Sequence, residues 1–227
     1  LYEKIADDSK KDLDNLAIFY QDHGVKVYRP QFDPFVADKW SKLAFKPPIS
    51  MSNRFFAYGD LVFYLSTADD KEIVYVEFVR HCLENMHDHG KYVFSNPITL
   101  ETGKMQEYSD ENWPGDQGFC LDGPCFLPAE NRILYNRKHC NTDRGIDWIQ
   151  NVIKKFYPDT QFVDVSHKFV NHLDNQIRVY NDNLATSNGS IPFVTNELRK
   201  SYPNIKVLDT SIYKEKNNEF KSRIFTQ

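Results

Sequence analysis

The chain has few of the features that mark membrane, secreted or nucleic-acid-binding proteins. No apolar run approaches the roughly 18 to 20 residues that a bilayer-spanning helix needs. Lys and Arg (28) nearly balance Asp and Glu (32), so the net charge is −4, and acidic and basic residues are interspersed. We therefore expect neither a nucleic acid nor a membrane as a partner.

Cysteine is also scarce, and its positions do not form the pattern of a structural zinc site. Cys82, Cys120, Cys125 and Cys140 include no CxxC pair. We predict reduced, mostly buried thiols and a cytoplasmic protein. The histidines within 81–89 fall at a predicted helix end, where they complement the helix dipole. We predict no metal site there.

One supersecondary pattern recurs along the chain: an amphipathic helix, a turn, and a short β-rich segment. The predicted helices cover 12–23, 70–89, 146–157 and 193–202, and the segments that follow them cover 25–28, 92–94, 162–165 and 205–208. Hydrophobic residues make up 41% of the chain and aromatics 15%, enough to give these elements a packed core. The chain should therefore fold.

A predicted hairpin precedes each of the last three helices. The strand pairs cover 54–58 with 61–65, 125–127 with 132–135, and 176–180 with 184–186. Such ββαβ units cannot bury their faces singly, so they must pack around a shared axis or sheet. We therefore predict an α/β fold, a pseudo-symmetric α/β-propeller of ββαβ units.

The first helix lacks a hairpin, and the tail after residue 208 is polar. We expect a single domain over 1–227 with partial units at 1–30 and 191–227, so the propeller is predicted to be incomplete at one or both ends. Loops 30–52 and 96–118 are long enough to serve as binding loops or lids.

Four short motifs carry a resemblance to a known family. They are FCLDGPCF at 119–126, GIDW at 145–148, NHLD at 171–174 and SN at 187–188. In this order and spacing the set resembles the glycine/arginine amidinotransferase family of the guanidino-modifying superfamily, the penteins, whose motifs read C-F-D-x-x-D-F, G-I-E-W, H-I-D and S-N. Looser matches occur at 24–30 and 51–54, so the similarity spans most of 1–190.

The resemblance implies a pentein fold and amidino transfer from arginine through a covalent amidino-cysteine, without metal or organic cofactor. It assigns catalytic roles to His172, Asp122 and Asp174, and substrate binding to Asn53, Asp122, Asp174 and Asn188. The chemistry is coherent: a guanidinium is planar and always charged, so carboxylates hold it bidentately, and a nearby imidazole can move a proton to the departing amine.

The chain departs from the family pattern at several positions. No cysteine follows Cys140, whereas the family's nucleophile lies in a later unit. Cys125 occupies the position of the second motif carboxylate, and Asn53 that of another acid, so two negative charges are lost. If 122–125 were regular strand, Cys125 would face away from Asp122, but we expect Pro124 to interrupt such a strand. We do not expect Cys120 or Cys125 to act as the nucleophile, because nearby carboxylates disfavour a thiolate and free cysteines are most often buried packing residues.

These observations favour an amidinotransferase-like protein that acts on or binds arginine or another guanidino compound. The alternative is a catalytically inactive protein of the same fold, a binding or structural subunit of a larger assembly. A weaker third hypothesis is a hydrolase of the same superfamily. Because an incomplete ring would expose sheet edges, a homo-oligomer is also possible.

Overall fold

The computed structural model describes residues 2–29, 51–65, 75–97, 119–137, 142–166, 172–188 and 192–209. The predicted helix start at 70 and Cys140 fall outside these ranges, as does most of the two long loops. The helices are α1 (Tyr2–Asp22), α2 (Tyr75–Asp88), α3 (Asp143–Phe156) and α4 (Pro192–Ser201). Two 3-10 turns cover Met51–Arg54 and Gly123–Cys125.

Three three-stranded sheets are formed by the described residues. Their strands are β1 (Phe55–Tyr58), β2 (Leu61–Tyr64) and β3 (Tyr92–Ser95); β4 (Phe126–Ala129), β5 (Arg132–Tyr135) and β6 (Gln161–Asp164); and β7 (Ile177–Asn181), β8 (Leu184–Ser187) and β9 (Lys206–Asp209). In each sheet the first two strands form an antiparallel hairpin, and the third pairs in parallel with the second.

The register of the parallel pairs repeats from sheet to sheet. The first residue of each middle strand aligns with the first residue of the third strand, as Leu61 with Tyr92 and Arg132 with Gln161. A helix connects the two parallel strands in every sheet. The predicted ββαβ unit is therefore confirmed three times, and the α/β class with it. A ring closed around an axis stays a prediction.

The two core clusters lie between successive units, because strand residues alternate between the faces of the middle sheet. Phe126 and Ile133 join a cluster with the first sheet and α3, whereas their neighbours Leu127 and Leu134 join a cluster with the third sheet and α4. The middle sheet is thus buried on both sides. This packing holds β4 and the 123–125 turn that directly precedes it.

The start of the chain differs from the prediction. Residues 25–29 form no strand in the structure, although Gly24 ends α1 at φ +78° as expected. A β-strand needs a paired neighbour, and the alternation of Val25 to Tyr28 cannot supply one. The apolar side chains predicted to pack from α1 remain largely exposed, among them Leu13 at 61% and Phe19 at 55%. No helix in the described ranges has the length and apolar character to cross a bilayer.

Candidate functional site

The 123–125 turn organises the candidate site. Pro124 starts the turn with a fixed φ, and the backbone N–H of Cys125 donates to the Asp122 carbonyl over 3.1 Å. Asp122 itself is extended, with φ −129° and ψ 119°, and its carboxylate does not cap the turn. The Asp122 carboxylate, which is 3% exposed, instead contacts His172, a residue fifty positions further along the chain.

The turn interrupts the chain at Pro124, as expected, and places Cys125 on the same side as Asp122. A 3-10 turn has three residues per turn, so residues three apart lie on the same side. The Asp122 carboxylate and the Cys125 thiol, together with a ring nitrogen of His172, all lie within 4.8 Å of one another. Gly123-Pro124 is a turn-forming dipeptide, so the sequence indicates the interruption, but it does not indicate how close the Cys125 thiol lies to Asp122.

Residue 172 reaches this turn because its segment is hydrogen-bonded to it. The backbone N–H of Leu173 donates to the Pro124 carbonyl over 2.9 Å, and that of Asp174 donates to the same carbonyl over 3.4 Å. Leu173 is buried in the cluster between the second and third sheets. This anchoring brings His172 Nε2 to 2.5 Å from Asp122 Oδ2, an ion pair whenever the imidazole is protonated.

The remaining predicted site residues are connected to the turn through their backbones or through the neighbouring segment. The backbone of Asn53 approaches Gly123, since a Cβ built there would lie 3.3 Å from the Asn53 carbonyl oxygen. Asp174 has an exposed side chain next to its anchored backbone. Asn188 is bonded to the 175–176 segment: its backbone N–H donates to the carbonyl of Gln176 over 2.7 Å. The structure thus brings Asp122 and His172 into contact, whereas Asn53 and Asp174 adjoin the turn through their backbones and Asn188 adjoins the 175–176 segment.

A second set of contacts holds the segment before the turn. Thr142 accepts a hydrogen bond from the Gly145 backbone through its side chain and so caps α3. The Thr142 hydroxyl also accepts from the backbone N–H of Cys120, and the Thr142 backbone N–H donates to the Cys120 carbonyl over 2.9 Å. The GIDW motif therefore lies in the first turns of α3, whose capping residue is hydrogen-bonded to the segment before the site. Trp148 packs edge to face on Phe63 against the core cluster.

The electrostatics of the site combine a buried carboxylate with a partly exposed imidazole. The side chain of Asp122 is 3% exposed and that of His172 is 17% exposed, so the imidazole forms the solvent-side wall. A buried carboxylate needs a cationic or hydrogen-bonding partner, and a carboxylate next to an imidazole can bind a cation or relay a proton. Both functions require a ligand that reaches past His172.

The three described cysteines, Cys82, Cys120 and Cys125, form no disulfide bond and are buried, as predicted. Cys125 has no exposed surface and packs in the cluster between the first two sheets. Cys82 lies away from the site on α2, and burial raises the pKa of its thiol. Cys125 is therefore the cysteine that the fold places next to the candidate acid and imidazole.

Solved structures of amidinotransferases share this fold. SxtG, an amidinotransferase of saxitoxin biosynthesis from Microseira wollei, superimposes with a TM-score of 0.63 at 16% identity, over 88% of this chain and 59% of its own. Inosamine-phosphate amidinotransferase StrB1 from Streptomyces griseus superimposes with a TM-score of 0.68 at 15% identity, over 91% of this chain and 60% of its own.

These matches confirm the predicted resemblance at the level of the fold. The chain spans about three fifths of the length of both amidinotransferases. No protein-family model matches the chain, and no curated protein matches it by sequence.

Proposed function

We propose that this chain binds a guanidino compound such as arginine, as an amidinotransferase-like protein. One observation carries the proposal: two aligned motifs fifty residues apart place a buried carboxylate, Asp122, against an imidazole, His172, with Nε2 and Oδ2 2.5 Å apart. The fold shared with SxtG and StrB1 supports it, since both are amidinotransferases.

The guanidinium would lie between the Asp122 carboxylate and the exposed carboxylate of Asp174. Two acceptors on different sides suit a planar cation with a fork of N–H donors. Asp174 is two residues beyond His172 and its side chain is exposed, so its carboxylate would turn toward the ligand on binding. Asn53, whose backbone adjoins the turn, and Asn188 would contact the rest of the ligand.

If the protein is an active transferase, a thiolate bonds to the guanidino carbon and the bond from that carbon to the departing nitrogen breaks. His172 would give the proton that the leaving amine needs, and an acceptor amine would then displace the thiolate. This chemistry calls for no organic cofactor. Cys125 is an unsuitable thiol for it, because it offers a substrate no exposed surface.

The alternative, an inactive binding or structural subunit, is favoured by two substitutions that remove negative charge from the site. Cys125 and Asn53 stand where the family has acids, so the site has lost two charges that would hold the cation. An inactive binding protein would still bind a guanidino group at Asp122 but would transfer no amidino group, whereas a purely structural subunit would do neither. We further propose a single cytoplasmic domain of propeller type, whose exposed sheet edges could pair with a second copy.

Binding is tested by the melting temperature of the 227-residue chain with arginine and with citrulline, its neutral urea analogue. We expect arginine to raise the melting temperature and citrulline to have a much smaller effect. Asp122→Asn and Asp174→Asn should abolish the rise. Asp159→Asn, an exposed aspartate between α3 and β6, is the matched control and should keep it. An equal rise in all three variants would refute this placement of the ligand.

Transfer is tested separately, by the intact mass of the chain after incubation with labelled arginine. A transferase should gain one amidino group on a thiol. Arginine binding with no adduct at any pH would favour the inactive binding protein.

A further inference from the structure

The cluster at the 123–125 turn contains three different kinds of metal ligand. A carboxylate oxygen of Asp122, the thiol sulfur of Cys125 and a ring nitrogen of His172 all lie within 4.8 Å of one another. Asp122 and Cys125 are buried, and His172 is the solvent-side member. We propose that these three residues bind a zinc ion. The inference does not depend on a guanidino ligand.

The ligand set selects the class of metal. Sulfur and imidazole nitrogen are the ligands that zinc prefers, with one carboxylate oxygen common beside them, whereas magnesium and calcium take oxygen ligands. Other thiophilic divalent ions such as cobalt and cadmium would fit the same set. Replacement of an expected motif carboxylate by Cys125 thus changes a hard oxygen into a soft sulfur at a buried position.

The charges balance when the ion is bound. A thiolate and a carboxylate together carry two negative charges, which a divalent ion neutralises inside a site that is largely closed to water. Metal binding releases the thiol proton, and the imidazole binds in its neutral form.

The geometry requires only small movements. Bonds of about 2.0 to 2.3 Å in a tetrahedral site place neighbouring ligand atoms about 3.3 to 3.7 Å apart. The Asp122 and His172 atoms, now 2.5 Å apart, must separate slightly, and the sulfur must approach from within its present 4.8 Å limit. Rotations of the side chains can supply both changes. A water molecule on the partly exposed side of His172 would be the fourth ligand.

Cobalt substitution tests the site directly. The 227-residue chain is treated with a chelator, then titrated with Co²⁺ and, in a separate sample, with Zn²⁺. We expect one ion per chain, with the visible bands of tetrahedral cobalt and a thiolate-to-cobalt charge-transfer band in the near ultraviolet. Zinc should displace the cobalt and remove both bands.

Variants assign the ligands. Cys125→Ser should remove the charge-transfer band, and Asp122→Asn should weaken binding by at least about tenfold. Because Cys125 is buried in the core, Asp122→Asn and His172→Gln serve as independent variants if Cys125→Ser does not fold. The matched control is Cys82→Ser, since the Cys82 sulfur lies 3.3 Å from an imidazole nitrogen of His81.

The control should leave both the stoichiometry and the spectrum unchanged. Absence of the charge-transfer band in the unsubstituted chain would overturn the proposal. So would a band that survives Cys125→Ser or disappears in Cys82→Ser. Failure of the chain to bind arginine would leave this result unaffected, because the cobalt titration contains no guanidino compound.

Discussion

Substitution of Gly123 by alanine should destabilise the protein by disrupting the turn that forms the site. A Cβ at Gly123 would lie 2.2 Å from the carbonyl oxygen of Phe55 and 3.3 Å from that of Asn53. Both are backbone atoms, so no side-chain rotation relieves the clash. The strain here is steric, since Gly123 does not have a positive φ.

The magnitude follows from the size of that overlap. The 123–125 turn and the start of β1 must separate by about 1 Å before the contact becomes tolerable, and overpacking of this kind costs about 1 to 3 kcal/mol. Alanine also has less conformational freedom than glycine in the unfolded chain, and this effect stabilises the folded state by about 0.4 to 1 kcal/mol. We therefore expect a net loss of about 1 to 2 kcal/mol in the free energy of unfolding.

Urea denaturation followed by tryptophan fluorescence measures this loss. Gly145→Ala is the matched control, because its Cβ would meet the Cys120 carbonyl oxygen at a longer 2.7 Å and the Leu121 side chain at 2.9 Å. Because residue 145 lies in a helix, the higher helix propensity of alanine also stabilises the folded state by about 1 kcal/mol. We expect Gly145→Ala to cost less than half as much as Gly123→Ala. A Gly123→Ala variant as stable as the parent chain, or a reversed order of the two, would refute the reasoning.

Two further predictions concern the units on either side of the site. Glu197 of α4 contacts Arg132 of β5 at 2.5 Å, with side-chain exposures of 9% and 11%. Glu197→Ala should therefore cost about 3 to 5 kcal/mol in urea denaturation by leaving a buried guanidinium. Arg132→Met with Glu197→Met should recover most of that loss, and a single variant costing under about 1 kcal/mol would contradict the assignment. Burial raises the pKa of Cys82 above its ordinary 9.0, so the unfolded thiol ionises first as pH rises. The free energy of unfolding should then fall from about pH 9 upward, and less steeply in Cys82→Ala; identical slopes would exclude this contribution.

The hairpins and helices of the three complete units could be predicted from sequence because each is coded locally. Period-2 and period-3.6 hydrophobic patterns identify strands and helices, and Gly59 and Gly90 adopt the positive φ that their predicted turns require. The 25–28 segment has the same alternation and forms no strand. Its failure shows that alternation indicates a potential strand, whereas pairing depends on a neighbour that the local sequence does not specify.

The site was predictable in part, and for a different reason. The approach of His172 to Asp122 has no local signal, since fifty residues separate them, and it was expected only from the resemblance. The proximity of Cys125 to both was not predicted, because the side on which Cys125 lies depends on the geometry of the turn at Pro124. In a strand, where side chains alternate every two residues, a residue three positions along the chain lies on the opposite side. In a 3-10 turn, with three residues per turn, it lies on the same side.

The position of a bound guanidinium tests the central claim most directly. A crystal structure of the 227-residue chain grown with arginine should show the guanidinium within hydrogen-bond distance of the Asp122 carboxylate, beside the His172 ring, with Asp174 closing over it. A guanidinium bound at another surface, with Asp122 and His172 left in contact with each other alone, would contradict the account.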